Sequence, residues 1–177
     1  ETTPAQQKSG SAEFGRINRG GQVKNSSAPG SRTRQAAETL SLEQAVALLP
    51  ESTEWVERIL RRVEPYLPPG LPKTVLDVGC AQGRSLIGLA LHGYQPSGVD
   101  PWPQALEVAR RLIAQHNLVI SVKEGSAEAI PFADNAFSVV LATSVMEHVS
   151  DLERALSEIH RVLRPGGIFW FNSASAM

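Results

Sequence analysis

Hydrophobic positions in this chain follow two rhythms, and the change between them comes at Thr74. Before it, Trp55, Val56, Ile59, Leu60, Val63 and Leu67 recur at helical spacing until Pro68-Pro69-Gly70 breaks the run. Ser52 or Thr53 is the expected cap of that helix, and Leu40 to Leu49 is a shorter helix that Pro50 ends. After Thr74, short apolar runs alternate with amphipathic segments. Strands are predicted near 74–78, 95–99, 119–123, 138–143 and 167–171, with helices near 84–92, 103–116 and 151–163 and a tight turn at 127–130. In the last helix Ser150 or Asp151 is the cap, and Leu152, Ala155, Leu156, Ile159, Val162 and Leu163 form one apolar face. Pro165-Gly166-Gly167 then stops it. Strand and helix in alternation predict an α/β fold, a doubly wound and mostly parallel sheet with right-handed crossovers.

Composition bounds the reading. With 177 residues and 42% hydrophobic content, the chain can bury one real core. Residues 1–39 are rich in Gly, Ser, Gln, Asn and Arg, with too few large apolar side chains to offset the entropy of ordering, and are expected to form a disordered tail. Residues 40–73 then make an N-terminal helical segment and 74–177 the parallel-sheet domain. A net charge of -1 offers no general attraction for nucleic-acid phosphates. No apolar stretch approaches the roughly 20 residues that span a bilayer, and a single cysteine forms no internal disulfide. These features fit a reducing, cytoplasmic compartment, although Glu1 in place of an initiating methionine points to processing or truncation.

The chemistry concentrates at Thr74-Val75-Leu76-Asp77-Val78-Gly79-Cys80-Ala81-Gln82-Gly83, answered by Gly98-Val99-Asp100. An apolar strand, a glycine turn and a following helix make the first half of a Rossmann-like nucleotide crevice, and Asp100 ends the second strand where a carboxylate can accept both ribose hydroxyls. Asp77 selects among nucleotides. Its charge would repel a pyrophosphate seated at the helix N-terminus, whereas it suits the sulfonium and ammonium of S-adenosylmethionine.

Here the sequence resembles the class I S-adenosylmethionine-dependent methyltransferases. The resemblance continues in order through Gly125-Ser126-Ala127-Glu128-Ala129-Ile130-Pro131-Phe132, Phe137-Ser138-Val139-Val140, Glu147-His148-Val149 and Leu163-Arg164-Pro165-Gly166-Gly167, covering residues 74 to 171. It is nearest to the small-molecule branch that includes quinone-biosynthesis methyltransferases. The resemblance implies S-adenosylmethionine as cofactor and a small-molecule acceptor as partner. Asp77 would lie near the methionine end, while Gly79 and Gly83 supply the turn and close approach. Ala81 replaces a glycine frequent in the motif and implies a less extreme backbone there. Asp100 would bind ribose, Pro101 and Trp102 would lie against adenine, Ser126 and Ala127 would meet the adenine edge, and Thr143 would hold the methionine moiety. Many relatives carry Asp where this chain has Ser126, and Ser138 stands in place of another common Asp, a change read as structural.

His148 faces the acceptor region in this reading and is the candidate general base. The histidines show no metal-ligand spacing, and no metal is expected. Trp55 has two readings, a core tryptophan or part of a lid over the cofactor. Members of the resembling family continue past the fifth strand, so Ile168 to Phe171 would form an apolar edge in an apparently truncated sheet; the expectation is that the chain is a fragment, or that a partner or a second copy covers the edge. Two other functions compete. A nicotinamide-dependent oxidoreductase is opposed by the incomplete G-x-G-x-x-G and by Asp77; a non-catalytic cofactor-binding or assembly module would retain the same fold.

Overall fold

The computed structural model describes residues 41–172; the predicted N-terminal tail lies outside the described residues. Ser41 caps α1 (Leu42–Ala47) in a reciprocal capping box with Gln44. Then α2 (Leu49–Val63) begins one residue after α1's own cap, Leu48. Pro50 therefore opens a helix rather than closing one. A proline in the first turn sacrifices no intrahelical hydrogen bond, so it is compatible with helix initiation. Ser52 and Thr53 do not cap α2; their hydroxyls donate back to the carbonyls of Leu48 and Leu49 at 3.0 and 2.9 Å. A 3-10 turn at Glu64–Tyr66 carries the chain to Leu67, beyond the helix.

From Thr74 the order is β1 (Thr74–Val78), α3 (Arg84–Leu91), β2 (Gln95–Asp100), α4 (Pro103–Gln115), β3 (Ser121–Glu124), β4 (Phe137–Thr143), α5 (Leu152–Val162) and β5 (Leu163–Asn172). All five strands run parallel in the order β3-β2-β1-β4-β5. This is the predicted α/β, Rossmann-like sheet, and the order reverses between β1 and β4.

The two-residue repeat of the strands sorts the core onto two faces. On one, Leu76, Val78, Val140 and Ala142 meet Ala155, Ile159 and Val162 of α5. On the other, Val75, Val139 and Leu141 meet Val56, Ile59, Leu60 and Val63 of α2, with Leu89 of α3. Gly88 permits this second contact, since a Cβ there would stand 3.1 Å from Val56 Cγ2. Leu86, Ile87, Leu106 and Leu112 close a third cluster, between α3 and α4.

The C-terminal stretch departs from expectation. Helix α5 stops at Val162 and the chain enters β5 at once. A step from Phe137 to Val139 on β4 is matched by a step from Leu163 to Ile168 on β5, so Pro165-Gly166-Gly167 is a bulge inside the strand pairing. Gly166 holds φ +78°, which explains the residue type as well as a helix stop would. Strand β5 is a sheet edge, and Phe171 is half exposed on it.

Candidate active site

The face of the sheet beneath α2 is apolar along Val75, Val139 and Leu141 and turns polar at its carboxyl edge. By strand alternation the next positions on that face are Asp77 of β1 and Thr143 of β4. They sit at the switch point, where open α/β sheets bind ligands. A cleft of about 410 Å³ opens there, walled by Asp77, Gly79, Ala81 and Thr143, by Gln82, Arg84 and Ser85, and by α2 through Glu51, Ser52, Trp55 and Arg58. That volume is in the range of small-molecule sites.

Asp77 is 4% exposed. Burial lifts its carboxyl to about 7, the Ser85 hydroxyl that donates to it pulls the other way, and the charge of Asp100 pushes it further up. The amides of the glycine turn take other partners. Those of Gly79 and Cys80 donate to the Val99 carbonyl at 2.8 and 3.1 Å, and that of Ala81 donates to Asp100 Oδ2 at 2.9 Å. Asp100 Oδ1 accepts from the Trp102 amide at 2.9 Å. Asp100 thus pins the turn and caps the approach to α4 from beneath the loop. Burial raises its pKa, opposed by the amides of Trp102 and Ala81.

Ala81 does not relax the backbone. It keeps φ 46°, in the left-handed region, between Gly79 at 74° and Gly83 at 76°. Gly83 opens α3 and makes room for Ala109, 3.0 Å from where its Cβ would be, so its role lies in helix packing and not in ligand approach. Gly79 is on the cleft wall, and a Cβ on it would strike Val145 Cγ2 at 2.4 Å. Cys80 is buried beside Gly98, and burial pushes its thiol up, which makes it a packing residue.

Thr143 Oγ1 is buried and has no hydrogen-bond partner among the described residues. Such a hydroxyl on a cleft wall has both its donor and its acceptor capacity to offer. Ser144 follows it at φ 52°, held by its amide's hydrogen bonds to Asn172 Oδ1 and the Asn172 carbonyl.

The remaining expected site residues surround this wall without forming it. Trp102 is 56% exposed, with Pro101 exposed beside it. Ala127 is buried in the α5-side core and Ser126 is half-buried, and neither is on the cleft wall. His148 ends a 3-10 turn at Met146–His148 and is exposed outside the cleft. Trp55 is partly buried: it packs edge-to-face on Trp170 at 6.0 Å and also lines the cleft. Ser138 is structural, its hydroxyl donating to the Pro72 carbonyl at 2.5 Å. Sequence reasoning missed Ser85 and Arg58. Ser85 is the lone hydroxyl in the apolar run of α3, and Glu51, Ser52, Trp55 and Arg58 recur at helical spacing beside the core stripe of α2. Among the described residues, no group of three or more His, Cys, Asp or Glu is arranged to hold a metal, and no helix is long and apolar enough to cross a membrane.

A parallel sheet with a buried acid at the end of β1, a glycine turn and a second acid at the end of β2 defines a nucleotide-binding protein of the doubly wound class. The family model described as methyltransferase domain matches residues 76–171, and the chain belongs to that family, the class I S-adenosylmethionine-dependent methyltransferases. It is 35% identical over 118 residues to an uncharacterized methyltransferase of Mycobacterium tuberculosis, covering 67% of this chain and 42% of that protein. It is 31% identical over 96 residues to a ubiquinone biosynthesis O-methyltransferase of Mesorhizobium japonicum, covering 54% and 39%. Among solved structures, a putative S-adenosyl-L-methionine-dependent methyltransferase from Methanococcus maripaludis shares the fold at a TM-score of 0.63 and 22% identity, over 78% of this chain and 66% of that one. The chain spans less than half the length of these two relatives.

Proposed function

We propose that this protein binds S-adenosylmethionine in the cleft and transfers its methyl group to a small-molecule acceptor. The observation that carries this reading is the pair at the switch point: a buried carboxylate, Asp77, and a buried unpartnered hydroxyl, Thr143 Oγ1, face one cleft. A cation with hydrogen-bonding groups complements that pair, whereas a pyrophosphate would meet the acid. When bound, S-adenosylmethionine supplies an activated methyl on sulfur, which an acceptor oxygen, carbon or nitrogen displaces to leave S-adenosylhomocysteine.

The chain's own residues have the tasks of alignment and water exclusion. Asp77 neutralises the ammonium and sulfonium, Thr143 bonds the methionine moiety, and the backbone at Gly79 and Ala81 admits close approach. Arg58 and Arg84 are cations on the same wall and suit the methionine carboxylate. Each Asp100 oxygen accepts one amide and retains a lone pair for a ribose hydroxyl. Pro101 and the exposed face of Trp102 suit adenine, whose edge meets Ser126 and the backbone of Ala127. His148 serves as base where the acceptor is protonated. The small-molecule acceptor is supported by the similarity to the ubiquinone biosynthesis O-methyltransferase.

Calorimetry with S-adenosylmethionine, S-adenosylhomocysteine and NAD in parallel tests the cofactor. Binding of the first two and not the third is expected; the reverse order overturns the reading.

A further inference from the structure

Ser85 lies in the first turn of α3, on the cleft wall, and its hydroxyl donates to Asp77 Oδ2. The amides of Gly79, Cys80 and Ala81 do not reach that carboxylate; they donate to Val99 and Asp100 instead. Within this buried site, therefore, one side-chain hydroxyl solvates the acid that faces the cleft. Resting on the cofactor reading above, we propose that Ser85 is a positioning residue: its hydroxyl keeps the Asp77 carboxylate turned to the cleft and charged, and so sets the acid limit of binding for a cationic ligand.

The surroundings leave this task to Ser85. Asp100, from β2, opposes ionisation of Asp77 by its own charge. Cys80, from the turn, is held as a thiol by burial and by the two aspartates. From α2, Glu51 and Arg58 reach the cleft wall, and from α3, Arg84 does. Among the described residues, the hydrogen bond to the Asp77 carboxylate comes from Ser85 and not from these three. β4 contributes Thr143, which is neutral. Hydrogen bonds to a charged group are worth more than those between neutral partners, so loss of the hydroxyl disfavours the ionised form selectively.

The test uses Ser85→Ala, Ser85→Cys and Ser85→Thr with two readouts. Carboxyl-carbon NMR follows the Asp77 titration in the ligand-free protein, and calorimetry follows S-adenosylhomocysteine binding from about pH 6 to about pH 8.5. Ser85→Ala is expected to raise the Asp77 midpoint by about one pH unit, and to weaken binding about tenfold at the acid end with little change at the alkaline end. Ser85→Cys, a poorer donor, should move the midpoint the same way by less, and Ser85→Thr should restore it. A midpoint unmoved in both loss variants, or binding weakened equally at every pH, overturns the proposal. If wild type fails to bind S-adenosylhomocysteine, the cofactor reading falls, while the NMR titration still judges Ser85.

Discussion

Replacing Asp77 with Asn should stabilise the ligand-free protein at neutral and alkaline pH while removing cofactor binding. The carboxyl is raised from its ordinary 3.8 to about 7, burial being the largest cause. The folded state therefore holds a proton that the unfolded chain has released across that window. Stability falls as pH rises from about 4 to about 7, and the ionised acid is a net penalty above it. At about 1.4 kcal/mol per pH unit, the interval corresponds to a ceiling of about 4 kcal/mol. The cleft admits solvent beside this side chain, and effective dielectrics in proteins run well above those of a dry interior, so about 2 kcal/mol is the expected gain. Asn keeps an oxygen for the Ser85 hydroxyl and nearly the same volume, so no cavity is left, and the new NH2 donors are counted against the gain in the lower figure of about 2 kcal/mol. Urea denaturation of both proteins at about pH 5 and about pH 8 measures the effect, with equal slopes as the check on comparable unfolded states. The advantage of Asn should be present at the higher pH and shrink towards zero at the lower. An advantage independent of pH, or an Asn variant less stable than wild type at about pH 8, would refute a buried and penalised Asp77.

Three further outcomes follow from the same geometry. Asp100→Ala strips the acceptor from the amides of Ala81 and Trp102, and should lower stability by about 1 to 2 kcal/mol in denaturant melts while weakening S-adenosylmethionine binding in calorimetry. Ala81→Gly relieves a left-handed alanine at φ 46°, offset in part by the freer unfolded chain, and should raise stability by up to about 1 kcal/mol with cofactor affinity retained. His148→Ala should lower turnover with S-adenosylmethionine affinity nearly unchanged; full turnover across the pH range in single-turnover assays would remove it as the base.

The fold was readable wherever local periodicity and tertiary burial agree. Val75, Leu76, Val139 and Val140 are buried on both sheet faces, so their unbroken apolar runs mark central parallel strands. Prolines misled at both ends. Pro50 closes nothing because the first turn of a helix needs no proline N–H, and Pro165 sits in a strand because a glycine bulge takes it out of the ladder. The site was readable to the extent that backbone geometry dictates residue type. Gly79 and Gly83 announced the turn, and Asp77 its acidic wall. The pairing of acids with their donors was hidden, since which amide reaches Asp100 and which hydroxyl reaches Asp77 depends on how α3 leaves the turn.

The division of labour between the two aspartates follows from their places on the sheet. Asp100 ends β2 and reaches the amides of Ala81 and Trp102, so two backbone donors offset part of its burial before any ligand arrives. Asp77 ends the α2-facing stripe of β1, where the neighbouring strand offers Leu141 and, among the described residues, no hydrogen bond but that of Ser85 reaches it. A single hydroxyl cannot offset the desolvation of a carboxylate there, which is why its proton is held to about neutrality. On the proposed reading, a bound cation supplies the missing compensation: the cost of the ligand-free site and the affinity for a cationic ligand then have one origin, an acid buried ahead of its partner, and cofactor binding is coupled to the pH at which Asp77 loses its proton.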